Sequence, residues 1–140
     1  MSQTPWITVS AIVAAKPETV WKHYTQPDSV VQWNQASDDW HCPEAHNELI
    51  EGGRFDYTMA SRDGAHRFVF GGLFGALNPP FSMDYTLDDG RQVEVRIESV
   101  PEGSAISVRF EPESLNSLEL QQQGWQAILD SFHRYVMRFS

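Results

Sequence analysis

The segment from residue 118 to residue 139, LELQQQGWQAILDSFHRYVMRF, places its apolar side chains mostly three or four positions apart. Its stripe includes Trp125, Ile128, Leu129 and Phe132, and this spacing predicts one amphipathic helix. A helix of about 20 residues is about 30 Å long, enough to cross a small domain. We therefore expect the C-terminal helix to close over the rest of the chain.

The segments before this helix alternate apolar and polar residues, which is typical of strands that bury one face. The first strand is followed by two short helical segments and then by about six strands, separated by glycine-rich turns. The predicted strands are 7–13, 47–50, 55–60, 66–74, 81–87, 93–98 and 106–110. Their order in the chain favours antiparallel pairing between neighbours.

The two short helices follow the first strand. Pro17 to Thr25 has proline in its first turn and apolar residues at one-turn spacing, and a second helix is predicted from Asp28, as its cap, to about Trp33. Residues 34–45 mix polar and aromatic side chains without a period, so we expect a loop there.

This order predicts an α+β fold in one domain, residues 1–140. We expect a helix-grip architecture: a curved antiparallel sheet of about six or seven strands, two short helices after strand 1, and a long C-terminal helix packed across the sheet. A gap between helix and sheet would be a natural place for a ligand pocket.

Charge and composition exclude several classes of partner. The chain has 19 acidic and 10 basic residues, a formal charge of −9, so nucleic acid and anionic membranes are disfavoured. The single cysteine, Cys42, cannot form an internal disulfide, and residues 1–13 lack the features of a secretory signal. With no apolar run of about 20 residues, we expect a cytoplasmic protein without a membrane partner.

Several short motifs, spread in order over about 120 residues, together resemble one known family. They are Val20–Trp21, Pro27, Trp33, Gly52–Gly53–Arg54–Phe55, Asp63–Gly64 and Gly124–Trp125. The chain resembles the START-like (SRPBCC) helix-grip superfamily, specifically the branch of homologues of the activator of the ninety-kilodalton heat-shock protein ATPase. The resemblance implies the same fold. The superfamily includes lipid carriers, hormone receptors and aromatic polyketide cyclases, so it leaves the activity open.

Motifs for metal or nucleophilic chemistry are weak. His41, Cys42 and His46 lie close together in sequence, but a zinc site needs a further ligand with recognisable spacing, so we expect no metal and no cofactor. No nucleophile motif is present, and alternation places Asp56 and Asp84 on the solvent side of their strands. We therefore assign no catalytic residue.

Aromatic side chains are the most concentrated feature of the sequence, and about half of them are expected to form the core. The others suggest a ligand site. The predicted ligand-binding residues are Trp33, Trp40, His41, Tyr57, Tyr85 and Trp125, with His41 near the mouth.

Three functions are compatible with this sequence. The first is binding of a small hydrophobic or aromatic ligand between the C-terminal helix and the sheet. The second is a polyketide cyclase- or hydrolase-like enzyme that uses His41 or a buried carboxylate on a small enolisable substrate. The third is a co-chaperone-like protein-interaction domain. Either a monomer or a homodimer is compatible with the sequence.

Overall fold

The computed structural model describes residues 5–139, which form seven strands and three helices. The strands are β1 Ile7–Val13, β2 Trp40–Asn47, β3 Arg54–Ser61, β4 Arg67–Asn78, β5 Ser82–Leu87, β6 Gln92–Val100 and β7 Gly103–Phe110. The helices are α1 Pro17–Thr25, α2 Pro27–Trp33 and α3 Leu118–Met137. The predicted α+β helix-grip fold is confirmed.

All seven strands form one curved antiparallel sheet in the order β1-β7-β6-β5-β4-β3-β2. Strands β2 to β7 form a meander, and β1 joins the sheet beside β7, where Val9 pairs with Val108. Because α1 and α2 connect the two edge strands, they close one side of the space above the sheet. No helix within residues 5–139 is both long enough and apolar enough to span a bilayer.

Strand β2 was wrongly predicted as part of a loop. It pairs with β3 across a bulge between His41 and Glu44, and Pro43 lies within this bulge. The extra residue spaces the buried side chains Cys42 and Ala45 three positions apart, which hides the period of two. Proline is tolerated here because β2 is an edge strand.

The two short helices share one proline-rich junction. Pro27 occupies the first turn of α2 and Gln26 is the N-cap residue, so the prediction of Asp28 as the cap is wrong. Proline suits the first turn because its missing N–H has no helical partner there. The junction brings Val20 and Val30, both fully buried, into the same core.

Strand β4 is longer than predicted and continues to Asn78 through a bulge between Phe74 and Leu77. A Cβ atom on Gly75 would overlap the Asp84 carboxylate, which accepts a hydrogen bond from the Ala76 N–H at 2.9 Å. The bulge and this close approach bend the sheet at β4. The prediction of a glycine-rich bend is consistent with this geometry.

Helix α3 begins where the sequence predicts. The Ser117 side chain caps it by accepting a hydrogen bond from the Leu120 N–H at 3.0 Å. Phe132 is fully buried and its ring contacts Tyr24 of α1 and Trp33 of α2, at centroid distances of 5.2 and 5.0 Å. The two ends of the apolar stripe are exposed, because Leu118 lies at the first residue of the helix and Phe139 lies beyond its end.

Candidate ligand cavity under helix α3

A cavity of about 320 Å³ lies between α3 and the sheet. We call it the grip cavity. Its lining residues are Val9, Tyr24, Thr25, Trp33, Asn34, Phe55, Tyr57, Met59, Phe68, Phe70, Phe74, Met83, Tyr85, Arg91, Val108, Glu113, Asn116, Gln121, Trp125, Ile128 and Leu129. The volume falls within the range of about 300 to 1,000 Å³ that is usual for small-molecule sites.

Aromatic rings form most of the sheet side of the cavity. Phe55 lies at the centre of this wall, with Tyr57, Phe74 and Tyr85 at centroid distances of 5.2, 5.3 and 5.0 Å. The alternation of β3, β4 and β5 turns these rings to the same face, and their register brings them together: Tyr85 pairs with Phe74, and Tyr57 pairs with Phe70. Tilted and edge-to-face pairs of this kind hold the wall rigid.

Trp125 forms the opposite wall. Its ring stacks on Phe110 of β7 at 3.8 Å with an interplanar angle of 13°, and meets Phe70 edge-on at 5.9 Å. One helical turn later, Ile128 and Leu129 continue this wall. Helix α3 therefore contributes a flat, apolar surface that faces the aromatic wall of the sheet.

Three tyrosine hydroxyls are the main polar groups in the apolar part of the cavity. The Tyr24 and Tyr85 hydroxyls lie beside each other. The Tyr57 hydroxyl oxygen accepts from the Asn47 side-chain amide at 3.0 Å, and the same amide donates to the Thr25 carbonyl oxygen at 2.7 Å. The three phenols are thus held in place by residues of α1, β2, β3 and β5.

Burial controls the ionisation of these phenols. It raises the pKa of Tyr57 to about 12, and raises the pKa of Tyr24 and of Tyr85 above the ordinary value. The principal cause in all three is loss of solvation of the phenolate, with smaller effects from the neighbouring tyrosines or the Cys42 thiol. All three are therefore neutral hydrogen-bonding groups at physiological pH.

The end of the cavity near the β7–α3 connection is polar. The buried Gln121 side chain holds this connection, donating to the carbonyl oxygens of Glu113 and Asn116 and accepting from the Glu113 N–H, at 2.9 to 3.1 Å. Arg91 lines the same end, and its guanidinium donates to the Asp89 carboxylate at 2.8 Å. The polar end thus consists of side chains that are already paired with one another or with backbone.

The structure places four of the six predicted site residues in the cavity lining: Trp33, Tyr57, Tyr85 and Trp125. Trp33 contributes only its ring, because its indole N–H donates to the His23 carbonyl oxygen at 2.9 Å. A ligand-binding role for these residues is taken up below.

The other two predicted residues, Trp40 and His41, are not among the lining residues. Trp40 pairs with Ser61 beyond the end of the cavity and contacts Phe68 at 5.9 Å. His41 pairs with Ala60, and because side chains alternate along a strand, it belongs to the opposite face of the sheet.

The residues considered for catalysis or metal binding also lie outside the cavity lining. Asp56 pairs with Arg54 at 2.7 Å on the outer face of the sheet, and Asp84 caps the β4 bulge. Cys42 is buried and its thiol donates to the Glu44 carbonyl oxygen at 3.4 Å, while His46 is exposed. Within residues 5–139, no three His, Cys, Asp or Glu side chains are grouped to hold a metal ion.

Sequence reasoning missed two parts of the site. Tyr24 has the helical spacing of an ordinary core residue, so no local signal separates it from Trp21. The polar end was missed because Arg91, Glu113 and Gln121 come from a turn, a connection and a helix that share no motif.

Comparison with known proteins identifies relatives with the same fold. The sequence model of the family described as "Activator of Hsp90 ATPase homolog 1-like protein" matches residues 14–137. A solution structure of an AHSA1-like protein from Aeromonas hydrophila is 38% identical, with a TM-score of 0.90 over 95% of this chain and 92% of that chain. A solution structure from Cytophaga hutchinsonii is 40% identical, with a TM-score of 0.79 over 96% of this chain and 92% of that one.

More distant structures share the fold alone. A crystal structure from Nitrosomonas europaea is 13% identical, with a TM-score of 0.82 over 99% of this chain and 97% of that chain. No functionally curated protein matches the chain.

Proposed function

The chain belongs to the activator of Hsp90 ATPase homolog 1-like family, and from this premise we propose that it binds a small hydrophobic or aromatic molecule in the grip cavity. The observation that carries the proposal is the cavity itself: about 320 Å³ of space between α3 and the sheet, lined mainly by aromatic and other apolar side chains. Ligand sites are typically apolar pockets of this size with a few convergent polar groups.

Hydrophobic transfer provides the driving force for binding. Burial of apolar surface is worth about 25 cal/mol per Å², and flat walls such as Trp125 and Phe70 offer stacking and edge contacts to an aromatic ring. Much of the wall is held in place by ring-to-ring contacts and by the stack of Trp125 on Phe110. Little ordering of side chains is then needed when a ligand enters, which favours affinity.

The groups around the cavity favour binding over the enzymatic alternative. That alternative depended on His41, Asp56 or Asp84, and none of the three is a lining residue. Among the residues of the lining, within 5–139, the one carboxylate is Glu113, and both of its oxygens accept hydrogen bonds from Asn116, at 2.7 and 3.2 Å. A carboxylate that is committed to two donors is poorly suited to abstracting a proton.

Two measurements test the proposal. Native mass spectrometry of freshly purified protein should show a bound small molecule. Titration with the neutral fluorescent probe N-phenyl-1-naphthylamine should give saturable fluorescence, with energy transfer from the tryptophans of the cavity wall.

A cavity-filling variant provides the specific control. Ile128→Trp puts an additional indole into the space beneath α3, and we expect at least tenfold weaker probe binding. Gln123→Trp adds the same indole to the same helix at an exposed position outside the lining, and should bind as the wild type does. If folded Ile128→Trp binds the probe with unchanged affinity, or if the wild type shows neither a bound mass nor saturable probe binding, the proposal is wrong.

A further inference from the structure

The hydrogen-bond inventory of the three cavity tyrosines defines what a ligand must offer them. A phenol has one O–H donor and an oxygen that accepts. Both protons of the Asn47 side-chain amide are used, one on the Thr25 carbonyl oxygen and one on the Tyr57 oxygen. Tyr57 is therefore an acceptor in that contact, and no hydrogen bond within residues 5–139 uses its own proton.

The same reasoning applies to the pair formed by Tyr24 and Tyr85. These two hydroxyls lie beside each other, and two neighbouring phenols can use at most one of their two protons on each other, so at least one proton of the pair stays available. Neither makes a further hydrogen bond within the described part of the chain. Two phenol protons thus remain for a molecule in the grip cavity, one from Tyr57 and one from the Tyr24–Tyr85 pair.

The charge of the ligand group follows from the surroundings of these protons. Burial raises the pKa of all three tyrosines, which shows that negative charge is poorly stabilised there. The one basic side chain among the described lining residues, Arg91, comes just after the Asp89–Gly90 turn, at the end of the cavity where Glu113 and Gln121 lie, and it is paired with Asp89. A carboxylate beside the tyrosines would lose its hydration without gaining a cation.

We propose that the ligand of the grip cavity carries a neutral acceptor oxygen, such as a ketone or ester carbonyl, which accepts from Tyr57 and from the Tyr24–Tyr85 pair while its aromatic body lies against Trp125 and the aromatic rings of β3, β4 and β5. This inference rests on the proposed function and specifies the ligand class. It also makes the three hydroxyls determinants of specificity.

Three naphthalenes of nearly the same shape test this inference by displacement of N-phenyl-1-naphthylamine. They are 2-acetylnaphthalene, with a carbonyl oxygen, 2-isopropenylnaphthalene, with a methylene in its place, and 2-naphthoate, with a charge. Hydrophobicity alone favours the isopropenyl compound. We expect instead that the ketone binds about tenfold more tightly than the isopropenyl compound, and more tightly than the carboxylate, because only the ketone satisfies the phenol protons at no charge cost.

Variants assign the preference to the hydroxyls. Tyr57→Phe and Tyr24→Phe keep the rings and should reduce the preference for the ketone toward equality with the isopropenyl compound. Tyr135→Phe is the matched control, because the Tyr135 hydroxyl donates to Ser29 at 3.2 Å outside the cavity lining, and it should keep the wild-type preference.

The outcomes separate the two proposals. Equal displacement by the ketone and the isopropenyl compound, strongest displacement by the carboxylate, or no displacement by any of the three while the probe stays bound would overturn the inference and leave the binding function in place. Failure of the probe itself to bind would overturn both.

Discussion

Phe132 packs helix α3 against the two short helices. We expect Phe132→Ala to lower the free energy of unfolding more than any other single truncation where these helices meet. The side chain is 0% exposed and packs against Tyr24 and Trp33. Truncation of a buried phenylalanine costs about 3 to 5 kcal/mol. Two edge-to-face contacts place Phe132→Ala toward the upper part of that range. The free energy of unfolding of an ordinary domain is about 5 to 15 kcal/mol, so the loss expected for Phe132→Ala is a large share of the total.

The size of the thermal effect follows from the chain length. Unfolding entropy is about 2.1 cal/mol/K per residue, so for 140 residues each kcal/mol shifts Tm by about 3 °C. We expect Phe132→Ala to lower Tm by about 10 °C or more, measured by circular dichroism, with a parallel loss in the urea midpoint. Phe139→Ala is the control: this ring is 61% exposed and stacks on His23 at 4.8 Å, and should cost less than about 1 kcal/mol. If the free energies of unfolding of both variants lay within about 1 kcal/mol of the wild-type value, Phe132 would not be the residue that holds α3 against the short helices.

Three further predictions concern buried polar groups. Gln121→Leu should lose about 1 to 3 kcal/mol of stability and speed hydrogen exchange at the Glu113 amide, whereas Gln122→Leu, at an exposed position, should change neither. Because burial raises the pKa of Tyr57 to about 12 while the unfolded phenol titrates near 10, the contribution of Tyr57 to stability should be constant below about pH 10 and be lost between about pH 10 and 12, where the unfolded state releases the proton first. The free energy of unfolding should therefore fall less over this range in Tyr57→Phe than in the wild type. Burial also raises the pKa of the Cys42 thiol to about 11, so its reaction with a disulfide reagent at pH 8 should be slow in buffer and fast in urea.

Each of these predictions has an opposing result. Equal exchange rates at the Glu113 amide in both glutamine variants would show that Gln121 does not hold the connection. Tyrosinate absorbance that appears near pH 10 without unfolding in the wild type and is lost in Tyr57→Phe would show that the Tyr57 phenol is solvated. A Cys42 thiol that reacts at the rate of a model peptide in native buffer would place it on the surface.

The local sequence pattern was sufficient to predict an element where its apolar residues keep one period along the whole element. Helix α1 has the predicted bounds and helix α3 begins at the predicted residue, because apolar spacing and Pro17 are local signals. Helix α3 ends at Met137, two residues before the end of the predicted stripe. The sequence did not predict strand β2 because its bulge at Pro43 breaks the alternation. The predicted β4 ended too early because the bulge of this strand lies at Gly75. A bulge is a property of two paired strands, so a single strand's pattern does not reveal it.

The candidate site shows the same division. The ring-bearing faces of β3 and β5 follow from alternation, which is why Tyr57 and Tyr85 were selected. Trp40 and His41 were selected because they lie at the predicted loop beside the expected mouth of the pocket, but Trp40 falls beyond the cavity end and His41 lies on the opposite face of the sheet. Their position depends on the register of β2 against β3, which the bulge shifts.

The amino-acid sequence alone determined the α+β architecture, the closing helix and the aromatic faces, since each depends on periodicity and capping within one segment. The tertiary structure was needed for the volume of the cavity, its polar end and the pairing of its hydroxyls. Those features join residues far apart in the chain, such as Asn47 with Tyr57 and Tyr24 with Tyr85, whose meeting depends on strand register and on the packing of α1 beneath α3. The volume and the polar groups of the cavity are therefore set by contacts between elements, while the elements themselves are set by local sequence pattern.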